Sequence, residues 1–215
     1  MADRWATFDC YGTLIDWNGG IRAELARVFG EERADELLER YHELEPQVQG
    51  EQPALPYRRV MAEAMRRLGA PPREEDALGE SLPRWDPFPE APGALAELRR
   101  RGWRLAVLSN SDPDLLEASE RRLGTPFDRK IVASEIGSYK PARRHWEVFV
   151  AESGARPERH VHVAQSHFHD IVPARELGLR TVWVNRLRER LEPPPTREIA
   201  DLSTLPEVLD DLVPA

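Results

Sequence analysis

The sequence holds a single cysteine, Cys10, only two lysines, Lys130 and Lys140, and no apolar run long enough to span a bilayer. One cysteine excludes an internal disulfide and agrees with a reducing compartment. The start, "MADRWATFDC", lacks both a long apolar stretch and a small-residue cleavage site, so neither a signal nor a transit peptide is expected. Cytoplasmic location is the default, with no membrane partner. Clustered positive charge is also missing. Net charge is −8, and the basic residues alternate with acids along "RAELARVFGEERADELLER", as on solvated helix faces. A nucleic-acid partner is therefore not indicated.

What is present is a chain of 215 residues, 40% of them hydrophobic, enough for one or two domains with a sizeable core. Strand-length apolar runs occur at "RWATFDC", "WRLAVLSN", "KIVAS", "HVHVAQS" and "RTVWVN", with helical patterns between the later ones. That alternation predicts an α/β fold, a doubly wound parallel sheet covered on both faces. Between the first two strands the pattern breaks. Residues 20–82 show helical periodicity in "GIRAELARVFG", "ADELLERYHELEPQVQ", "YRRVMAEAMRRLG" and "REEDALGESL". A stretch of that length is too long for a loop and predicts a helical cap inserted after the first strand. The expected division is a Rossmann-like core of residues 1–16 and 88–215 and a lid of residues 17–87. "RWDPFPEAPG" reads as the return linker, "EPPPTRE" as a stiff connector and "LPEVLDDL" as a closing helix.

In parallel sheets of this kind ligands bind beyond the carboxyl ends of the strands. Asp9, Ser109 with Asn110, and Gln165 to Asp170 all fall there. A carboxylate at a strand end, facing the amides of a tight turn, is placed as a nucleophile must be, although such an Asp can also merely satisfy turn amides. Ser109 and Asn110 can both offer hydrogen bonds to an anion. Simple helix capping by Ser111 or Asp112 is the alternative reading of that segment. Lys140, in "SYKP", would keep a neighbouring carboxylate ionised if it lies beside Asp9, and would be a solvated loop lysine if it does not.

"FDCYGTLIDW", "LSNSD", "SYKPARRHW" and "VAQSHFHDIVPARELGL" resemble, in order and spacing, the four motifs of the haloacid dehalogenase superfamily, and "YGTL" is similar to its 2-haloacid dehalogenase branch. The resemblance implies that Asp9 is the nucleophile and that Thr13 bonds it. Phosphatases of the superfamily carry a second Asp two residues after the nucleophile to protonate an alkoxide. Tyr11 stands there, and an ordinary phenol, with a pKa of about 10, is a poor substitute. A halide leaves without a proton. The phosphatase pattern also supplies acids to Mg²⁺ from its fourth motif, whereas "AQSHFHD" puts Gln165 in place of the first acid and His169 in place of the Asn, and keeps only Asp170. His167 and His169 alone make a weak ligand set, so no metal and no cofactor are expected; Mg²⁺ belongs to the phosphatase alternative.

Four further positions depart from the dehalogenase pattern or rest on counting. Gln165 and His167 stand where Ser and Asn usually position the hydrolytic water, so either His167 or Asp170 is the candidate base. Trp146 replaces a Tyr that follows the lysine by six residues, and is expected to keep an aromatic wall. Matching "RYHELE" to the family's lid helix suggests Arg40 as the halide-binding arginine. Tyr11 is grouped with the substrate contacts. The resemblance implies hydrolysis of a small 2-haloalkanoate to a 2-hydroxy acid through an ester on Asp9, with a small carboxylate as the molecular partner, and it allows a homodimer. The alternatives are an Mg²⁺-dependent phosphatase acting on a small ester and a non-catalytic relative that binds an anion or a partner.

Overall fold

The computed structural model describes residues 3–53 and 55–215. Six parallel strands form one sheet in the order β3-β2-β1-β4-β5-β6. They are β1 (Arg4–Phe8), β2 (Trp103–Ser109), β3 (Arg129–Val132), β4 (His160–Ala164), β5 (Arg180–Val184) and β6 (Arg197–Ile199). β1 is central, and the chain winds outward from it twice, first through β2 and β3 and then through β4, β5 and β6. The order therefore reverses between β1 and β4. Their register pairs Phe8 with Val163, so Asp9 and the segment from Gln165 leave the sheet side by side at the switch point.

The five apolar runs became strands because their side chains are buried on both faces of the sheet, as in "RWATF", which is buried throughout. β6 was not expected. It overlaps the end of the segment read as a connector, and two of its three residues, Arg197 and Glu198, are exposed. It is an edge strand held by backbone pairing to β5 rather than by an apolar pattern.

Between β1 and β2 lie α1 (Trp17–Phe29), α2 (Ala34–Glu51), α3 (Tyr57–Leu68) and α4 (Ala77–Ser81), followed by α5 (Ala91–Arg100). The segments that lead into and out of these helices run together: Asp16 N–H donates to the Asp86 carbonyl at 2.9 Å and Phe88 N–H to the Leu14 carbonyl at 2.9 Å. α2 presents a buried stripe at Ala34, Leu37, Tyr41, Glu45 and Val48, the spacing of one helix face. Glu45 is the one acid in that stripe. The remaining helices are α6 (Pro113–Leu123), α7 (Ala133–Ile136), α8 (Arg144–Ser153), α9 (Val172–Glu176) and α10 (Leu205–Leu212). One cluster of buried side chains runs from Ile21, Leu25 and Val60 in the inserted helices to Leu105 and Val163 in the sheet. Among the described residues no helix is long and apolar enough to cross a membrane.

Candidate active site

Just past β1 the side chains part: Asp9 faces a cavity of about 510 Å³, while Cys10 turns into the core and is fully buried. The cavity lies between the carboxyl end of the sheet, with Asp9, Ser109, Lys140 and Asp170, and the inserted helices, with Trp17, His42, Glu45, Gln49 and Tyr57. Gly12 makes the turn possible. Its φ of 89° lies in the left-handed region, and a Cβ there would come within 3.3 Å of the Gln165 amide oxygen.

Both oxygens of Asp9 are held. Lys140 Nζ donates to Oδ1 at 2.8 Å, and Thr13 Oγ1 donates to Oδ2 at 2.8 Å. Thr13 Oγ1 in turn accepts from the Gln165 backbone N–H at 2.9 Å, which ties the turn after β1 to the segment after β4. Burial pushes the Asp9 carboxyl above the usual carboxylate range, against the pull of Lys140, and the charge of Asp170 adds to the rise. The result is an anchored, partly desolvated carboxylate.

Lys140 spends all three of its donors, on Asp9, on the Leu108 carbonyl at 2.8 Å and on Asp170 Oδ1 at 2.7 Å. Burial alone would lower its pKa, but Asp170 and Asp9 together raise it, so it stays a cation. Asn110 fixes its backbone: Nδ2 donates to the Lys140 carbonyl at 3.0 Å, and Lys140 N–H donates to Oδ1 at 2.7 Å. Asn110 therefore lines the cavity but spends its carbonyl and one amide hydrogen on positioning. Ser109 is 1% exposed, and among the described residues its hydroxyl has no partner. A buried hydroxyl of this kind calls for one, and a ligand in the cavity would supply it.

Asp170 lies in the π-turn His167–Ile171. Burial would raise its pKa, but Lys140 and His162 prevail and hold it at about 2. Behind it runs a buried chain that sequence reasoning missed. His160 Nε2 lies 2.7 Å from Thr7 Oγ1, Thr7 Oγ1 lies 2.9 Å from His162 Nδ1, and His162 Nε2 lies 3.0 Å from Asp170 Oδ1. With His160 Nε2 donating, one consistent set of tautomers makes every bond point toward Asp170. Asp170 Oδ2 has no partner among the described residues, which leaves one carboxylate oxygen without a bond.

Of the other expected residues, Gln165 lines the cavity beside Gly12. Tyr11 lines it too, but its hydroxyl lies 3.1 Å from Ser119 Oγ, and burial pushes the phenol further up. His167 borders the cavity while its Nε2 donates to the Pro193 carbonyl at 2.9 Å, so that nitrogen is unavailable as a base. Two expectations are corrected. Trp146 does not line the cavity; it lies on the buried stripe of α8 with His145 and Phe149 and packs edge-on against His162 at 5.2 Å between centroids. Arg40 is exposed and outside the cavity, because it precedes the buried Tyr41 and so points about 100° around the helix from the buried stripe. Arg40→Ala should therefore change kcat/KM by less than about twofold and stability by less than about 0.5 kcal/mol, as steady-state kinetics and denaturant titration would register.

The cavity does contain an arginine, Arg186, from the segment after β5. Its guanidinium pairs with Glu90 at 2.8 Å, donates to the Thr13 carbonyl at 3.0 Å and lies 3.5 Å over the Phe88 ring. Glu45 was also missed, although an acid on the apolar stripe of α2 was a readable signal. Among the described residues no group of three or more His, Cys, Asp or Glu side chains is arranged to hold a metal ion.

The sheet order, the carboxylate at the end of its central strand and the lysine beside it define a hydrolase fold of known type. A family model for haloacid dehalogenase-like hydrolases matches residues 4–178, and the chain belongs to that family. Phosphoserine phosphatase of Thermus thermophilus is 35% identical, with 68% of this chain and 63% of the relative covered. (S)-2-haloacid dehalogenase of Pseudomonas sp. strain YL is 32% identical, with 64% and 61% covered. The chain thus spans less than two thirds of the length of these two relatives. (S)-2-haloacid dehalogenase 1 of Pseudomonas sp. strain CBS-3 is 28% identical with 96% of each chain covered. The structure of L-2-haloacid dehalogenase from Xanthobacter autotrophicus has the same fold, with a TM-score of 0.85 at 20% identity, covering 97% of this chain and 98% of that one.

Proposed function

We infer that the protein hydrolyses the carbon–halogen bond of a small 2-haloalkanoate. The observation that carries this reading is the pairing of a doubly anchored carboxylate, Asp9, with a tyrosine whose hydroxyl is tied to Ser119, at the place where proton donation to an alkoxide would be required. A halide needs no proton to depart. The inserted helices, residues 17–87, act as a lid over the core.

In the first step an Asp9 oxygen attacks the halogen-bearing carbon from behind; a C–O bond forms and the C–halogen bond breaks, the halide keeping the electron pair. The Ser109 hydroxyl, without a partner among the described residues, bonds the substrate carboxylate. Lys140 balances the charge that Asp9 gives up. In the second step water attacks the ester carbonyl carbon of Asp9 and gives one proton to Asp170; the tetrahedral centre then collapses, the bond between that carbon and the substrate oxygen breaks, and Asp170 returns the proton to the departing alkoxide, which leaves as a 2-hydroxy acid and restores the Asp9 carboxyl group. Asp170 is preferred over His167 because, among the described residues, its Oδ2 is without a partner, whereas His167 Nε2 is spent on Pro193. A carboxyl held at about 2 is a weak base in the resting state, so its function is to orient the water, take its proton as the tetrahedral centre forms and return it to the alkoxide as that centre collapses.

The phosphatase reading draws support from the Thermus relative. The donor set opposes it: Gln165 stands where an acid would hold Mg²⁺, His169 stands in place of the Asn, and Asp170 Oδ1 is already engaged by Lys140 and His162. One experiment separates the two. Halide should be released from chloroacetate and 2-chloropropionate with EDTA present, while p-nitrophenyl phosphate with Mg²⁺ should yield little phosphate. Metal-dependent phosphate release without halide release would reverse the assignment.

A further inference from the structure

Glu45 is 9% exposed, lines the cavity from α2, and among the described residues has no arginine, lysine or histidine paired with it. A buried carboxylate without a cation beside it is costly, so the group favours its neutral form. Burial pushes it to about 7, the charge of Asp9 adds to the rise, and the Tyr57 hydroxyl draws it partly back. The other titratable groups about it are Tyr41 and His42 on α2, Tyr57 on α3 and Tyr139 in the segment before Lys140. The three phenols are all pushed up by burial, and burial lowers His42, so this surround carries no cation at neutral pH.

Position gives this acid a role. Asp9 lines the cavity from the core side and Glu45, with His42 and Gln49, lines it from α2, and back-side displacement directs the leaving atom away from Asp9. The α2 wall has no arginine: Arg40 is outside, and Arg186 lies on the core side bound to Glu90. We propose that Glu45 is a catalytic residue that donates its carboxyl O–H as a hydrogen bond to the departing halide, and that the site is thereby suited to fluoride. Fluoride is the most basic halide and the strongest hydrogen-bond acceptor among them, so it gains most from such a donor. No proton is transferred in this step; the halide leaves with its electron pair and the O–H bond of Glu45 stays intact. The role rests on the dehalogenase reading above.

The test is halide release from fluoro-, chloro- and bromoacetate between about pH 5 and 9 by the full-length protein and its Glu45→Gln and Glu45→Leu variants. For the unsubstituted protein, kcat/KM for fluoroacetate should fall above about pH 7, as the donor ionises. Glu45→Gln, which keeps an N–H donor and cannot ionise, should lose that alkaline limb. Glu45→Leu should lose roughly 100-fold on fluoroacetate and under about threefold on bromoacetate. Equal losses on all three substrates, or an alkaline limb that survives in Glu45→Gln, would overturn the role. If the leucine variant does not fold, the pH profile of the near-isosteric glutamine variant decides. Halide release without leaving-group dependence removes only the role of Glu45, whereas no halide release from the unsubstituted protein removes the dehalogenase reading and this proposal with it.

Discussion

Asp9→Asn should lower halide release by roughly 10³–10⁶-fold while leaving a folded protein. The loss is large because the amide cannot attack carbon as a carboxylate does, and no other unprotonated nucleophile faces the cavity from the end of β1. The fold should persist because burial already disfavours the ionised form of Asp9, so removing the charge relieves a cost. The unfolding midpoint should therefore stay level or rise, as expected where a catalytic group is held against its preference. A single turnover in heavy-oxygen water, with enzyme in excess, checks the chemistry directly: the label should enter the Asp9 carboxylate before it enters product. Retention of more than a tenth of the activity in the asparagine variant would end the nucleophile assignment.

The second large effect is expected on stability. Lys140→Met should cost roughly 3–5 kcal/mol at neutral pH, because it leaves Asp9 and Asp170 buried without the cation that bridges them. The pH dependence should carry a definite sign. In the unsubstituted protein Asp170 is held at about 2, below its ordinary value of 3.8, so its contribution is full above that value and is lost as pH falls toward 2. In the variant burial acts without Lys140 and raises both carboxyls, the folded state then binds more protons than the unfolded chain, and stability falls as pH rises past the ordinary carboxylate range. The gap between the two proteins should widen from acid to neutral pH in denaturant titrations followed by tryptophan fluorescence. A constant gap would mean that Lys140 acts through packing alone. Activity should fall as well, since a protonated Asp9 does not attack.

Much of this arrangement was legible in the sequence because the groups that form it end strands. Asp9, Ser109 and Gln165 follow apolar runs whose burial on both faces forces a parallel sheet, and a parallel sheet brings its carboxyl ends together. Lys140 is rare in composition and stands in a motif, so it too could be read. β6 could not, since "REI" is three residues long with two exposed charges and is placed by backbone pairing. Arg40 and Trp146 misled because family spacing gives position along a helix but not rotation about it; one residue of offset carries a side chain from wall to solvent, and α8 turns its tryptophan to the sheet. His162 and His160 read as ordinary members of the strand "HVHVA", and their connection to Asp170 exists only once Thr7 of the neighbouring strand is in register. Glu45 could have been found by following the buried stripe of α2 and asking why an acid interrupts it.

The turn that parts Asp9 from Cys10 also settles a question of self-damage. Haloacetates alkylate thiols, so a substrate of the proposed kind is a general poison for exposed cysteines. Only thiolate reacts, and burial drives the Cys10 thiol well above its ordinary pKa while sealing it from solvent. The chain carries no other cysteine. A substrate of the proposed kind can therefore be bound one residue away from the thiol without alkylating it.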